Sequence, residues 1–474
     1  MDLALDLAGT EPLYLQVYSQ IRALILTGAI REGTKLPSIR SLMQQLSISK
    51  TTVETAYHML IEEGYVISKE RSGLIVASST FSVSEGMTGH SVQREARQVS
   101  KERSIPFSSD DPIDFSLLNV DGDSFPFRIW RSIVNESLSL HAQSIHQYGD
   151  VRGEYELRES LTHYLRKSRG VVCEPEQIII GSGIASSIQL LARLLDGYGS
   201  IAVELPSIAQ VGDMFAQHRF QLVPVTMDDS GRLKQELEQH RVRLLYVTPS
   251  HRPTGDPLPY ACRQQLLQWA KEHNGYIIED DYDGELRLFG RPVPALQGLD
   301  AHGSVIYIGT FSKVFTPAMR MNYMVLPPSL VQQLPELRHA MSCPSRIDQW
   351  AMQLLISRGH WYRHLRRIRK IYRKKQQRLL QLLRMHFPDS VHAEGSKAGL
   401  HIELSIKAAG LNADRLIELA SQEGVLVYGS QHTDVRAASG HPKIYLGFGG
   451  MTEKNMERGV LKLRSAWSAV CTGP

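Results

Sequence analysis

The sequence has few cysteines and no long apolar run. Its four cysteines lie far apart in 474 residues and without Cys-x-x-Cys spacing, so we expect free thiols and no metal site: Cys173, Cys262, Cys343 and Cys471. No uncharged stretch approaches the ~20 residues of a membrane-spanning helix. The acidic start, residues 1–6, lacks the basic region of a signal peptide. These absences predict a cytoplasmic protein.

A strong net charge is also missing. The formal net charge is +4, which is too small over this length to indicate nucleic acid by itself, so its distribution has to be considered. Charged residues make up 22% and hydrophobic residues 42%, as in a globular protein. The length predicts two or more domains.

Residues 1–77 are predicted to contain a compact domain. Apolar spacing predicts helices over 14–27, about 38–45 and 50–63, and two short strands over 65–67 and 73–77. Two helices joined by a short turn and followed by a hairpin form a winged helix-turn-helix. Such a fold places the N-terminal end of one helix against base edges and phosphates of DNA.

Three sequence motifs support that interpretation: Pro12–Gln16, Leu36–Arg40 and Thr52–Tyr57. Together they resemble the GntR-type DNA-binding module, and the resemblance implies that Arg40 and the start of the third helix contact DNA. The candidate DNA-binding residues are Lys35, Arg40, Ser49, Lys50, Thr51, Thr52 and Gly73. The alternative is a helical triplet without a DNA role.

The charge balance of this segment is not basic. Residues 1–77 hold seven Lys or Arg against eight Asp or Glu. Phosphate binding would therefore come from a local face, and modest affinity per module favours a dimer that reads two half-sites.

Residues 78–111 are rich in Ser, Thr, Gly and mixed charges, which predicts a linker.

Two apolar segments that end in polar residues are the main chemical signal in the rest of the chain. The first runs from Tyr276 to Asp283 and ends in carboxylates, and the second runs from Ser304 to Lys313. A nucleophilic lysine needs partial desolvation and cationic neighbours that lower its pKa. An aspartate can keep a pyridine nitrogen protonated, and an arginine with hydroxyls can hold a phosphate.

The order of these residues resembles the fold-type I, class I aminotransferases, which bind pyridoxal phosphate as a Schiff base. The resemblance covers roughly 112–470 and implies that Lys313 is the Schiff-base lysine, Asp280 the partner of the pyridine nitrogen and Tyr282 a contact to the ring oxygen. Arg320 would bind the phosphate. The remaining candidate cofactor residues are Thr310 and Ser312 on the second segment, and Ser182, Gly183, Ile184 and Ala185 in a strand-to-helix turn.

Strands alternate with helices after residue 112, which predicts a mostly parallel sheet covered on both faces. We predict an α/β aminotransferase-like domain over 112–470, with a large domain of about 112–355 and a smaller α+β domain of about 385–470. A winged helix fused to such a domain resembles the MocR/GabR regulators. That resemblance implies a homodimer, in some cases with domains exchanged head to tail, and control of transcription through pyridoxal phosphate.

Three positions depart from the aminotransferase pattern: Arg252, Ile208 and Tyr445. They stand where the enzymes place an asparagine, an aromatic residue that stacks on the cofactor, and an arginine for the substrate carboxylate. We therefore predict no catalytic residues and a regulator that senses pyridoxal phosphate, alone or joined to an amine or amino-acid ligand at Lys313. The alternatives are an active aminotransferase with an appended DNA-binding domain, and an aminotransferase-like scaffold for dimerisation.

A long basic segment remains open to two interpretations. Residues 358–384 contain eleven Lys or Arg and no acid, with an apolar stripe that predicts an amphipathic helix. The segment is either a solvated face on the connection to the small domain or a second DNA contact.

Overall fold

The structure is a computed structural model with two compact units, residues 1–103 and 104–474. It describes residues 3, 5–6, 12–69, 73–77, 112–204, 209–227, 230–249, 257–290, 293–388, 391–395, 397–407, 412–429 and 441–471. The whole of the predicted linker, residues 78–111, lies outside these residues, as do Ile208 and Arg252. Within the described ranges, no helix is long and apolar enough to cross a membrane.

The N-terminal unit contains three helices and a hairpin, as predicted: α1 Leu13–Leu26, α2 Ile39–Leu46, α3 Lys50–Glu62, β1 Val66–Lys69 and β2 Gly73–Val76. The two strands are antiparallel. The apolar faces of the helices supply fully buried residues such as Ile21, Leu42 and Leu60, which form one hydrophobic core with residues of the hairpin. This core fixes the angle between α2 and α3.

The second unit is built around a seven-stranded sheet. Its elements up to the long helix are β3 Ile113–Asp114, α4 Phe127–Leu140, α5 Tyr155–Arg169, β4 Ile178–Gly181, α6 Ile184–Leu194, β5 Ser200–Glu204, α7 Ala209–Gln217, β6 Gln221–Val225, α8 Ser230–Gln239, β7 Leu244–Val247, α9 Tyr260–Glu272, β8 Tyr276–Asp280, β9 Val305–Thr310, β10 Asn322–Val325, α10 Pro328–Val331 and α11 Arg346–Ser357. The strand order is β4-β10-β9-β8-β7-β5-β6, and only β10 runs antiparallel to its neighbours.

Both faces of this sheet are covered. The adjacent residues Ile277 and Ile278 of β8 are fully buried and pack into two different hydrophobic clusters. Because successive side chains of a strand point to opposite faces, each face must carry its own apolar layer. The continuous apolar character of the strands follows from this double burial.

The smaller part of the unit contains α12 His360–His386, β11 Val391–Gly395, β12 His401–Ile406, α13 Ala413–Gln422, β13 Val425–Leu426, β14 Tyr428–Gly429, β15 Lys443–Gly447 and α14 Glu453–Cys471. Strands β11, β12, β15 and β14 form an antiparallel sheet in that order. The sequence assigned the segment after residue 112 to the large domain. Instead β3 pairs with β13, because the N–H of Ile113 and the N–H of Phe115 donate to carbonyls of the small domain.

The long basic helix begins two residues later than the basic run. Gly359 adopts φ 71°, a left-handed conformation that interrupts the helical path and separates α11 from α12. Arg358 therefore caps α11 rather than belonging to α12. The helix then continues for 27 residues, with its apolar stripe buried.

Candidate functional site

The polar ends of three neighbouring strands meet at one edge of the large sheet. Strands β7, β8 and β9 are parallel, and Asp280 at the end of β8 stands opposite Ile308 of β9. Asp280 and the segment from Thr310 to Lys313 therefore lie at the same edge, as the sequence predicted from the carboxyl ends of two consecutive strands.

Asp280 is a buried carboxyl group, and within the described ranges the hydroxyl of Tyr246 on β7 donates a hydrogen bond to it. Burial raises the pKa of Asp280 to about 7, and the nearby Asp281 and Asp283 act in the same direction, whereas the bond from Tyr246 lowers the pKa. A cation at this position would restore the ionised form. A protonated pyridine nitrogen is such a cation, so the carboxyl fits the role that the sequence predicted.

The neighbouring Asp281 has a different environment. It accepts two hydrogen bonds from Arg169, at 2.6 and 2.9 Å, and one from the hydroxyl of Tyr307 at 2.7 Å. These donors satisfy the carboxylate within the protein and tie α5 to the sheet. Asp281 therefore has a structural role, and Asp280 is the carboxyl that remains for a ligand.

Lys313 is partly buried, and its Nζ donates to the carbonyl of Leu117 at 2.6 Å. Burial lowers the pKa of Lys313, and the negative charge of Asp283 opposes that shift. From the sequence we expected cationic neighbours. In the described part of the chain, the charged group that shifts the pKa of Lys313 is an acid, Asp283. Desolvation is therefore the effect that favours the neutral amine.

Tyr282 lies between the two acids in sequence. Burial raises its pKa well above the usual range, and the charges of Asp283, Asp280 and Glu204 add to that effect. The phenol is therefore neutral at physiological pH and can donate a hydrogen bond to an oxygen of a ligand. This chemistry agrees with the predicted contact to a ring oxygen.

The predicted phosphate site combines Gly183 with Arg320. Gly183 has φ 100°, and a Cβ added there would lie 2.7 Å from Nη2 of Arg320, so the guanidinium lies directly against the glycine. The N–H of Gly183 donates to the side-chain oxygen of Asn322 at 3.1 Å. The absence of a side chain at Gly183 thus leaves space for the guanidinium of Arg320. The N–H groups of Ile184 and Ala185, at the N-terminus of α6, have no partner within the helix and can bind a phosphate.

The hydroxyl groups predicted for this site make local hydrogen bonds. Ser182 Oγ donates to the carbonyl of Ser342 at 3.2 Å. Thr310 Oγ1 accepts the N–H of Ser312 at 3.1 Å, which fixes the turn after β9. These bonds hold the turns around Gly183 and Arg320, which we call the phosphate cradle. Each hydroxyl can still form a further hydrogen bond to a ligand.

The side chains at this sheet edge fit pyridoxal phosphate. A buried carboxyl, a desolvated lysine and a guanidinium packed on a glycine match a ring nitrogen, an aldehyde and a phosphate, respectively. Within the described ranges, no cluster of His, Cys, Asp or Glu has the arrangement of a metal site.

The strands of the small domain show what replaces the substrate arginine of the enzymes. The hydroxyl of Tyr445 donates to Glu403 at 3.0 Å, and Lys443 forms an ion pair with the same carboxylate at 2.8 Å. Lys443 is therefore neutralised locally. Neither residue offers the planar fork that binds a carboxylate with two hydrogen bonds.

The candidate DNA-binding residues lie on the surface of the N-terminal unit. Ser49 caps α3 by accepting the N–H of Thr52 at 3.2 Å, and its hydroxyl contacts those of Thr51 and Thr52 at 2.9 and 2.7 Å. Lys50 is exposed and pairs with Glu54 at 3.0 Å. The start of α3 therefore presents hydroxyl groups and a lysine to solvent.

Arg40 on α2 and Lys35 before it are also exposed. The backbone of Lys35 bridges to Ile75 of the hairpin, and a Cβ added at Gly73 would lie 3.4 Å from the Lys35 side chain. Lys35 and Gly73 are thus neighbours at the base of the wing. The structure places all seven predicted residues at the surface of one small unit.

Three residues of the cofactor site were not predicted. Tyr246 and Asn322 lie inside apolar strands, where a single polar side chain gives little sequence signal. Asn322 links Gly183 to Ser187, to which it donates at 2.7 Å. Asp283 was visible as the last acid of its run, but only the fold brings its charge close enough to Lys313 to oppose the lowering of that lysine's pKa.

Comparison with known families identifies both units. The description "Bacterial regulatory proteins, gntR family" matches residues 13–76, and "Aminotransferase class I and II" matches residues 112–463. The chain belongs to the GntR/MocR-type transcriptional regulators with an aminotransferase-like domain. This membership confirms the predicted family and fold class.

Curated relatives match most or nearly all of the chain. The uncharacterized HTH-type transcriptional regulator YdeL of Bacillus subtilis is 38% identical over 96% of this chain and 97% of its own. The probable rhizopine catabolism regulatory protein MocR of Rhizobium meliloti is 32% identical over 99% and 96%. The pyridoxine biosynthesis regulator PdxR of Corynebacterium glutamicum is 32% identical over 79% and 80%.

Solved structures resemble the second unit. A kynurenine aminotransferase of Pyrococcus horikoshii covers 76% of this chain and 92% of its own, with 26% identity and a TM-score of 0.69. The α-aminoadipate aminotransferase of Thermus thermophilus, solved with a phosphopyridoxyl-leucine, has the same coverage, 25% identity and a TM-score of 0.67. The regulator therefore shares the fold of its second unit with aminotransferases that use pyridoxal phosphate.

Proposed function

We propose that this regulator senses pyridoxal phosphate, alone or joined to an amine or amino-acid ligand, through the site around Lys313. Binding at that site changes the affinity of the winged helix for DNA. Pyridoxal phosphate supplies a reactive aldehyde and a charged ring. The protein supplies the amine of Lys313, the carboxyl of Asp280 and the cradle of Gly183 and Arg320.

The environment of Asp280 carries the proposal. Burying a carboxyl without a cation destabilises its ionised form. Among the described residues, Arg169 donates two hydrogen bonds to the adjacent Asp281, whereas the hydroxyl of Tyr246 that donates to Asp280 is uncharged. A scaffold for dimerisation gains nothing from such a group. A ligand with a protonated ring nitrogen removes the penalty, which couples its binding to the stability of the domain.

Sensing is favoured over turnover by the small-domain strands. Tyr445 and Lys443 both bind Glu403 rather than presenting a guanidinium fork to a substrate carboxylate. An amino acid would therefore lack the contact that orients it for repeated proton transfer. Binding of pyridoxal phosphate at Lys313 does not need that contact.

The proposal includes a homodimer. Large apolar side chains are exposed on the segment that begins the second unit, with Leu118 at 65% and Phe127 at 66% exposure, and Leu140 and Tyr148 follow on the same segment. Exposed apolar surface of this kind marks association sites. Two copies would present two winged helices to paired half-sites. Light scattering of the purified chain measures the mass directly.

The experiment that tests the cofactor site is reduction of the full-length protein with borohydride after incubation with pyridoxal phosphate. We expect one stable adduct, mapped to Lys313 by peptide mass spectrometry, and a visible absorption band before reduction. Replacing Lys313 by Ala should remove both. An unmodified Lys313 in the intact protein would refute the covalent site, and steady conversion of amino acids at about 1 per second or faster would favour an enzyme.

A further inference from the structure

Ten of the eleven cations of residues 358–384 fall into two groups, and the eleventh, Arg384, lies in the last turn of α12. Six cations in and just before the helix bind carboxylates or carbonyls of other elements: Arg358, Arg367, Arg369, Arg373, Lys375 and Arg378. These contacts are structural. The run of eleven cations is therefore not a uniformly solvated face.

The second group is a stripe of four exposed cations, which we call the basic stripe: Arg363, Arg366, Lys370 and Lys374. Their spacing of three, four and four residues places them on one face of the helix, over about 16 Å along its axis. Among the residues that the structure describes, the hydrogen-bond partner of Arg363 is His360 of its own helix. The helix contains no acidic residue that could neutralise the stripe.

The helix that carries the stripe is held rigidly. On its inner side Arg369 binds the backbone and carboxylate of Glu285, at 2.6 and 2.8 Å, and Arg373 binds the carbonyl of Leu288. His364 contacts the carbonyl of Val314 at 2.7 Å. A rigid row of cations loses little backbone entropy when it binds a regularly spaced polyanion.

The N-terminal unit needs additional positive charge. Residues 1–77 contain fewer basic than acidic residues. Non-specific DNA affinity comes almost entirely from phosphate neutralisation, so this unit gains little of it. An uncompensated row of cations on the second unit supplies the missing charge.

We propose that the basic stripe of α12 is a second DNA-binding surface, which contacts the phosphate backbone without reading the sequence. DNA fits the stripe because duplex phosphates form a dense negative lattice along which several regularly spaced cations can bind at once. Arg and Lys that contact phosphates position the protein on the duplex, while the start of α3 contacts the bases.

The test compares the full-length protein with the quadruple variant R363Q/R366Q/K370Q/K374Q. Binding to a mixed-sequence duplex is measured by fluorescence anisotropy over a series of salt concentrations. We expect affinity to fall roughly tenfold or more at moderate salt, and the slope of log affinity against log salt to decrease by about 1 for each lost phosphate contact. Thermal unfolding should be unchanged because the four side chains are exposed.

The matched control is R193Q/K271Q/K407Q/K454Q, which removes the same charge from exposed residues outside α12. An equal loss of affinity and slope in this control would show a general charge effect and overturn the proposal. Wild-type affinity and slope in the stripe variant would also overturn it. A stripe variant that keeps DNA affinity but loses binding to vesicles of anionic lipid would assign the stripe to membranes instead.

Discussion

The two candidate sites of this regulator differ in burial. The DNA-binding candidates at the start of α3 are exposed, and their hydrogen bonds and ion pairs stay within that helix. The cofactor candidates lie at an interior sheet edge, where Asp280 is only 5% exposed. Exposed polar groups are satisfied by water and reveal no ligand by themselves. A buried carboxyl with few donors destabilises the protein unless a ligand compensates it, so the structure itself indicates a function there.

The largest expected effect follows from Lys313→Ala. The variant should form no covalent adduct with pyridoxal phosphate, while its DNA affinity without the cofactor stays at the wild-type value. Loss of the amine leaves the buried carboxyl of Asp283 without the cation that lowers its pKa, and the carbonyl of Leu117 without its donor, so thermal stability should fall. Mass spectrometry after reduction checks the first expectation, with the exposed Lys271→Ala as a control that keeps the adduct.

Asp280→Asn should change the pH dependence of stability. Without added cofactor, the folded protein holds a proton on Asp280 between pH about 4 and about 7 that the unfolded chain releases. The stability that this carboxyl contributes is therefore present at acid pH and is lost as pH rises through that window. The asparagine variant should lack this loss, be the more stable protein above pH 7 and bind pyridoxal phosphate more weakly.

Denaturant unfolding from pH 4 to pH 8 measures that difference. Glu279 has a pKa raised to about 7 by burial and by Asp281, but it is present in both proteins and cancels in the comparison. Parallel stability curves for the two proteins would contradict a buried, ligand-directed carboxyl at position 280.

Arg40→Ala tests the exposed site. We expect DNA binding to weaken by about 1–3 kcal/mol for each reading head. The free energy of unfolding should stay within about 0.5 kcal/mol of the wild type because the side chain is exposed. Anisotropy with a duplex selected by the full-length protein from a random library measures the first quantity, and Lys454→Ala in the second unit is the control. Unchanged DNA affinity would show that Arg40 does not contribute to DNA binding.

The smallest expected effect comes from Gly183→Ala. Gly183 has φ 100° and ψ 172°, where an L-residue costs about 1–3 kcal/mol, and the new methyl group would meet Arg320 at 2.7 Å and displace it. Affinity for pyridoxal phosphate should fall. Gly197→Ala is a matched control, because Gly197 has φ 92° and open space around its Cα, so it carries the backbone strain without the contact to Arg320. Equal affinities of the two variants for pyridoxal phosphate would contradict the proposal that Gly183 and Arg320 hold its phosphate.

The fold was predictable because its signals are local and periodic. The helical spacing in residues 14–63 and the apolar strands 276–280 and 305–310 predicted their elements within a few residues. The pairing of β3 with β13 was not predictable, since a two-residue strand has no periodicity and its partner lies about 300 residues away. The start of α12 was not predictable either, because the left-handed Gly359 that separates it from α11 lies within a continuous basic run.

The candidate cofactor residues could be predicted as a set but not in their contacts. Asp280 and Asp281 are adjacent acids in the sequence, and only the packing of Arg169 and Tyr307 separates their roles. Tyr246 lies on another strand, so its hydroxyl reaches Asp280 only after the sheet forms. Likewise, the cations of α12 are alike in sequence, and tertiary contacts alone divide them into paired residues and the basic stripe.

The most direct test of cofactor sensing is the DNA affinity of the full-length protein with and without pyridoxal phosphate, measured in parallel for the wild type and Lys313→Ala. A selected duplex serves as the probe. We expect the cofactor to change wild-type affinity by about 5- to 150-fold, as typical allosteric coupling does, and to leave the variant unchanged. A wild-type protein that is fully modified at Lys313 without any change in DNA affinity would contradict the account.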